Sequence, residues 1–335
     1  GVSPLVGRSV AVRGGRPVLA TGCALIAAGL LTIAVAPALW VFWLGWAILG
    51  AGMAAGLYDP AFATLGRLYG RDARGPITAL TLSGGFASTV CWPLSALMLE
   101  AWGWRGVAAA YGLVHLCGTL PIVLLGIPRA APAAARAATG PASAPAPVLS
   151  RPETVAFAIF AAMLVVNGLI VMNVAIYLFT FLQHQGHSLA AAVALGTLMG
   201  PAQVAARLVE MAGRGRHHPV WTLAASTGAL ATGACLLAFG QNLPGLALIL
   251  YGAGNGLFSI VRGALPLALF GPERYPVLMG RLARPALLAQ AVGPMAGALM
   301  ITHAGPGVML DAIALLALVK LSLAAVLWLR VRAGV

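Results

Sequence analysis

The chain has 335 residues, of which 61% are hydrophobic and only 8% charged, and it carries a formal net charge of +13. No arrangement of core and surface in water hides that much apolar side chain, so the composition excludes a soluble globular protein. The positive charge does not mark a nucleic-acid binder either, because the arginines flank apolar runs and no basic stretch interleaved with aromatics occurs.

In chain order, apolar runs predict spans at about residues 17–36, 39–66, 77–99, 106–127, 154–182, 189–209, 219–239, 244–270, 279–302 and 308–329. The runs are too long for barrel strands and show no alternation of period two. In lipid every backbone polar group must pair within the protein, so the fold class is all-α, a polytopic helical bundle of about ten transmembrane helices.

Arginines alternate with the connections. Arg8, Arg13 and Arg16 precede the first span, Arg67, Arg71 and Arg74 follow the second, and Arg129, Arg136 and Arg151 follow the fourth. Arg207, Arg214 and Arg216 follow the sixth, Arg274, Arg281 and Arg284 the eighth, and Arg330 and Arg332 the tenth. That puts 17 of the 20 basic residues on one side, which the positive-inside rule makes the cytoplasm, with both chain ends there. The stretch 129–153, rich in Ala and Pro, reads as a cytoplasmic linker between an N-terminal half of four spans (1–128) and a C-terminal half of six (154–335).

The halves share a repeat. Gly7-Arg8-Ser9-Val10-Ala11-Val12-Arg13-Gly14-Gly15-Arg16 aligns with the segment from Ala206 to Gly215, which holds Arg207, Glu210, Gly213 and Arg214, and Gly50-Ala51-Gly52 aligns with Gly252-Ala253-Gly254. Pro93 to Met98 aligns with Pro294 to Met300 after slight slippage. On these residues, together with Gly103-Trp104-Arg105 and Gly293-Pro294-Met295-Ala296-Gly297, the chain resembles the major facilitator superfamily, whose cytoplasmic loop reads G-x-x-x-D-R-x-G-R-R. The resemblance implies two pseudo-symmetric halves that rock about a midplane site. It also implies that this chain carries the counterparts of helices three to twelve and lacks the first two, an expectation under which the chain alone would not transport. Ala11 and Val12 replace the motif's Asp and Arg, which weakens the charge lock that the resemblance implies in the first half, whereas Glu210 keeps the acidic position in the second. Trp92-Pro93 and Gly293-Pro294, with Gly297, are expected to serve helix packing, since proline permits a bend and glycine a close approach.

Charged and polar groups at membrane depth are the candidate site. Burying a charge there costs roughly 2.5–3.5 kcal/mol, so such a group faces a partner or a polar cavity. Asp59 follows Gly50-Ala51-Gly52 and Arg262 follows Gly252-Ala253-Gly254 at nearly the same offset, so pseudo-symmetry sets them at equivalent depths in opposite halves. The functional reading gives Arg262 an anionic or polar solute and gives Asp59 a pairing or proton-exchanging role; the plainer one lets both snorkel to the cytoplasmic edge. Tyr58, Asn167, Asn173, Tyr177 and Asn255 are the neutral candidates, and Asn173 and Tyr177 lie one turn apart on one face, either on a cavity or bonding between helices. Gln203 and Arg207, also one turn apart, read as a loop lock, and Lys320, mid-span in the last helix, reads as a partner of a neighbouring helix. His217 and His218 extend the basic cytoplasmic edge.

Cys23, Cys91, Cys117 and Cys235 are scattered in apolar runs and read as packed thiols, and the HxxH of His184 and His187 has no nearby carboxylate, so no metal site is expected. No phosphate-binding GxxxxGK[ST] loop, HExxH or GxSxG is present, so no cofactor and no enzyme is expected. The expected protein is a secondary transporter of a small solute such as an organic anion or an efflux substrate, in a bacterial inner membrane, with lipid, solute and a proton or another coupling ion as partners. The rival reading is a transport-incompetent membrane protein, truncated or acting as a binding and scaffold module.

Overall fold

The computed structural model describes residues 3–85, 87–128, 149–213, 217–240 and 243–332, and these are helical throughout apart from short connections. Helix α1 (Ser3–Arg13) leads into α2 (Gly15–Ala34), α3 (Leu39–Gly56) and α4 (Tyr58–Tyr69). A 3-10 turn, Gly70–Ala73, precedes α5 (Arg74–Gly85) and α6 (Ala87–Leu113), and a π-helical turn, Val114–Thr119, precedes α7 (Leu120–Gly126). The second half holds α8 (Arg151–His184), α9 (Leu189–Gly196), α10 (Met199–Ala212), α11 (Pro219–Phe239), α12 (Pro244–Ala304) and α13 (Pro306–Arg332). Eight helical stretches among the described residues are long and apolar enough to cross a bilayer. The expected linker lies outside the described residues as far as 148.

Several expected spans are interrupted, and proline or glycine accounts for each break. Residues 39–66 read as one helix, yet Leu57 is extended (φ −91°, ψ −159°). Pro60 has no N–H to bond the Gly56 carbonyl, and its ring would clash there, so the helix restarts with Pro60 in the first turn of α4. Pro201 accounts in the same way for the separation of α9 from α10 at Thr197 and Leu198. Helix α12 has 61 residues, roughly 90 Å at 1.5 Å each and about three times the hydrocarbon thickness. Gly271, at φ 75° where residues with a Cβ are strained, divides it where the eighth and ninth spans were expected to part. The first motif is less of a loop than the sequence implied. Residues 3–13 are helical, and the turn into α2 narrows to Gly14 at φ 85°.

The chain clusters into two compact units. The first comprises, of the described residues, 3–73, 87–128 and 270–284; the second comprises 74–85, 149–213, 217–240, 243–269 and 285–332. Each therefore takes a short piece from the other's sequence half, namely α5 in the second unit and residues 270–284 of α12 in the first.

In the first unit α2 and α3 pack along a line of small residues. A Cβ added to Gly22, Gly29 or Gly52 would lie 2.6 Å from backbone of the facing helix, a contact that only glycine permits. Arg105 closes the far end of this pair by donating to the Ala36 carbonyl at 2.8 Å, and its guanidinium stacks 5.1 Å from the Trp104 ring centroid. Trp40, Trp43, Trp46, Trp102 and Trp104 are exposed around that end, the placement expected of an aromatic belt at a membrane surface.

In the second unit the core joins α8, α9, α11, α12 and α13 through Ile170, Phe181, Ala192, Leu230, Leu248 and Ile313. The glycine that corresponds to Gly52 does the same work here. A Cβ on Gly254 would lie 2.5 Å from the Leu230 amide nitrogen of α11, and the Gly254 carbonyl accepts from Ser226 Oγ at 2.8 Å. Ser150 and Glu153 form a capping box at the start of α8.

Candidate functional site

In the first unit Asp59 stands in the first turn of α4, just past the break at Leu57, and beside Ser3, Val6, Gly7, Pro276 and Gly280 it lines a small cleft. A carboxylate at that position complements the positive helix N-terminus. Tyr58 is half-buried and stacks on Phe62 with ring centroids 5.3 Å apart. Gly7 works through its size: a Cβ there would lie 2.5 Å from the Pro276 carbonyl oxygen and 3.0 Å from Gly280 Cα, so the glycine sets the crossing of α1 with residues 270–284. Arg8 is exposed and Arg16 half-buried. With Ala11 in place of the motif's aspartate, the end of α1 is held differently. Arg67 of α4 donates to the carbonyls of Val10 and Ala11 in the last turn of α1, the Val10 carbonyl also accepting from the Gly14 amide.

The second unit keeps the acidic lock, and it is larger than the sequence implied. Glu210 is buried and accepts from Arg74 at 2.6 Å and from Thr222 Oγ1 at 2.9 Å, with His217 Nε2 3.3 Å from its other oxygen. Arg74 also donates to the His217 carbonyl and, at 3.2 Å, to Thr222. The sequence named Glu210 but treated Arg74 as a topological charge and missed Thr222. The signal was the dearth of acidic residues, seven in the chain, which obliges a buried one to find a guanidinium.

The two histidines are not plain surface charge. His217 joins the Glu210 cluster, and His218 is the N-cap of α11, its Nδ1 accepting from the Val220 amide at 3.2 Å. Burial, and secondly the positive Arg74, push the His218 pKa below its ordinary 6.5. The neutral ring that the cap requires is thus favoured in the folded state. Its stabilisation is complete above about pH 6.5, the unfolded value, and is lost as the pH falls through the lower folded value. His218→Asn, which caps without titrating, is expected to flatten the loss of thermal stability between about pH 6.5 and pH 5. An unchanged slope would remove His218 from the account.

Arg207 was expected at a loop lock, and its bonds reach a neighbouring helix. It is buried on α10 and donates from Nε to the Gly256 carbonyl at 3.3 Å and to Ser259 Oγ at 3.2 Å, with Gln203 Oε1 3.5 Å from Nη2, so it ties α10 to α12. Gly213 is the C-cap of α10, its amide bonding Val209 and Glu210 carbonyls, and Arg214 lies outside the described residues.

Asn173 and Tyr177 share a face, as expected, and that face meets α12. The Tyr177 hydroxyl donates to the Pro294 carbonyl at 2.7 Å, a Cβ on Gly297 would overlap Asn173 Oδ1, and one on Gly293 would lie 3.4 Å from Asn173 Nδ2. Gly293-Pro294-Gly297 is therefore the seat of α8. Trp92 and Pro93, its counterparts, lie in helical backbone of α6, and their side chains are outside the described residues.

Asn167 accepts from Lys320 Nζ at 2.7 Å, which makes the lysine's neighbouring-helix partner the α8 asparagine. Asn255 and Arg262 are half-buried on α12. Of the cysteines expected to be packed, Cys23 is buried, Cys91 and Cys235 are half-buried, and Cys117 is exposed, in the π-helical turn whose wider winding precedes Pro121. No group of three metal-ligating side chains occurs among the described residues.

The family model described as Major Facilitator Superfamily matches residues 2–251. Monocarboxylate transporter 11 of Mus musculus is 36% identical over 143 residues, which are 40% of this chain and 32% of the relative, so the match spans about a third of that protein. The solved structure of the human organic anion transporter MFSD10 superposes with a TM-score of 0.75 at 18% identity, covering 96% of this chain and 80% of that one. The fucose:proton symporter FucP of E. coli superposes with a TM-score of 0.63 at 14% identity, covering 95% and 87%. At these identities the structural likeness is one of fold.

Proposed function

We propose that this chain, which belongs to the major facilitator superfamily, serves the secondary transport of a small organic anion across a bacterial inner membrane, with the arginine-rich ends of its helices in the cytoplasm. The observation that carries the anion is Arg262, a guanidinium nine residues before the Gly271 break within an otherwise apolar stretch of α12. Guanidinium is the side chain best matched to a carboxylate, which it binds with two parallel hydrogen bonds. Two similar proteins, one a monocarboxylate transporter and one an organic anion transporter, point to the same solute class. Asp59, Tyr58 and Asn255 are the further candidates for solute or ion contact, and the packing partners found for Asn173 and Tyr177 favour a structural role for those two.

The test is uptake of labelled L-lactate, as a representative monocarboxylate, into proteoliposomes with and without an inward proton gradient. Arg262→Ala is expected to lower the rate at least tenfold, and Arg262→Lys to recover part of it by keeping the charge. Arg105→Ala, which removes a bond to the turn between α2 and α3 instead, should change the rate by less than about threefold. Equal and small losses in both would make Arg262 a surface anchor. The orientation follows from labelling in intact cells: a cysteine at the exposed Asp72 should resist an impermeant reagent, and one at the exposed Gln183 should react.

A further inference from the structure

Lys320 is the only lysine in the chain; the other 19 basic residues are arginines. It is fully buried, and it sits midway along α13 (Pro306–Arg332), far from either end to which a side chain could snorkel. Its surroundings are neutral. Nζ donates to Asn167 Oδ1 of α8 at 2.7 Å and lies 3.4 Å from the centroid of the Phe258 ring of α12. Two acceptors, an amide oxygen and a π face, match the two N–H groups of a neutral amine, whereas an ammonium has three. The ring face in turn attracts the cation. The site therefore holds either form without a counter-charge, which a site built for a permanent ammonium does not do.

The elements packed around the lysine supply no carboxylate at its depth. Between its ends α8 offers only Tyr177, bonded to Pro294, and α11 offers only Cys235 as titratable groups. Helix α12 offers the buried Tyr251 and, one turn beyond Phe258, the guanidinium of Arg262; on α13 itself Asp311 lies nine residues away, and Arg330 and Arg332 stand in the last turn. Arginine is never deprotonated in proteins and lysine is, so the single position at which the chain departs from arginine is the position at which a proton can leave.

We infer that Lys320 is a reversible proton-binding site, its amine held by Asn167 in both charge states and by the Phe258 face as the ammonium. Release breaks one N–H bond and passes the proton to water; uptake reverses this, with no redox change. The exchange requires a conformation that admits water, because the amine is sealed in this one. That the proton is the coupling ion rests on the transport reading above; that the amine binds it does not.

The test uses that uniqueness. This 335-residue chain, labelled only in lysine with 13C and 15N, in lipid nanodiscs, gives one side-chain signal. The Cε and Nζ resonances are expected to pass from ammonium to amine positions within the pH range over which the folded protein is stable. Retention of the ammonium position over that range would overturn the inference, whether or not the protein transports lactate. In proteoliposomes Lys320→Arg, charged at every pH, is expected to abolish the stimulation of lactate uptake by a proton gradient at a retained exchange rate. Stimulation equal to wild type would remove the lysine from coupling, and absence of lactate flux in the wild type with a titrating amine would count against the solute and not against the proton site.

Discussion

Glu210→Ala is expected to destabilise the protein by about 2–3 kcal/mol, because it strands Arg74 among groups arranged around a carboxylate. The side chains of Arg74 and Glu210 are 15% and 8% exposed, so Arg74 can recover part of its hydration, which keeps the effect below the largest losses seen for deeply buried pairs. Thr222 and His217 lose an acceptor at the same time. The decisive measurement is a double-mutant cycle on thermal or denaturant unfolding in a fixed detergent. Arg74→Ala with Glu210→Ala should cost less than the two single losses added together, since the double variant leaves no unpaired charge. Simple additivity would show that the 2.6 Å pair is not energetically coupled.

Gly52→Leu is expected to abolish the close packing of α2 and α3, and Gly50→Leu, two residues earlier in the same motif, to be tolerated. A Cβ on Gly52 meets the Ile26 amide nitrogen at 2.6 Å and the Leu25 carbonyl carbon at 2.9 Å, and backbone atoms cannot rotate away as a side chain can; a Cβ on Gly50 meets nothing within 4 Å. Forcing the helices apart removes contacts along their whole interface, the dominant attraction between helices in lipid. The Gly52 variant should run largely as aggregate in size-exclusion chromatography, while the Gly50 variant elutes as wild type and gains slightly from helix propensity. Similar profiles for both would mean that the crossing is not set by small residues.

The span pattern was legible because apolar length and arginine placement are properties of a stretch, read without knowing what it touches. The repeat was legible for the same reason, and Gly52 and Gly254 do equivalent work in their own units. Breaks at Leu57 and at Thr197–Leu198 were written in Pro60 and Pro201, yet hydropathy alone carries no trace of them. The partners of single polar residues were not legible. Asn173 and Tyr177 were correctly placed on one face, but whether that face met a cavity or a helix depended on Gly293 and Gly297, more than a hundred residues away. Glu210 was recognised from its motif while Arg74 was not, since the pairing spans 136 positions in sequence and leaves no local signature.

The solitary buried lysine also makes the protein its own unfolding clock. An amine-directed acylating reagent meets, in the folded chain, a Lys320 side chain with no exposed surface, and the 19 arginines are inert to it. Acylation at that position therefore requires a conformation that uncovers the amine, and where reclosing outpaces the reagent its rate measures the free energy of that opening as amide exchange would, at a chosen side-chain atom. Lipids, detergents and variants can be ranked by one modified peptide, without a ligand and without knowledge of the cargo.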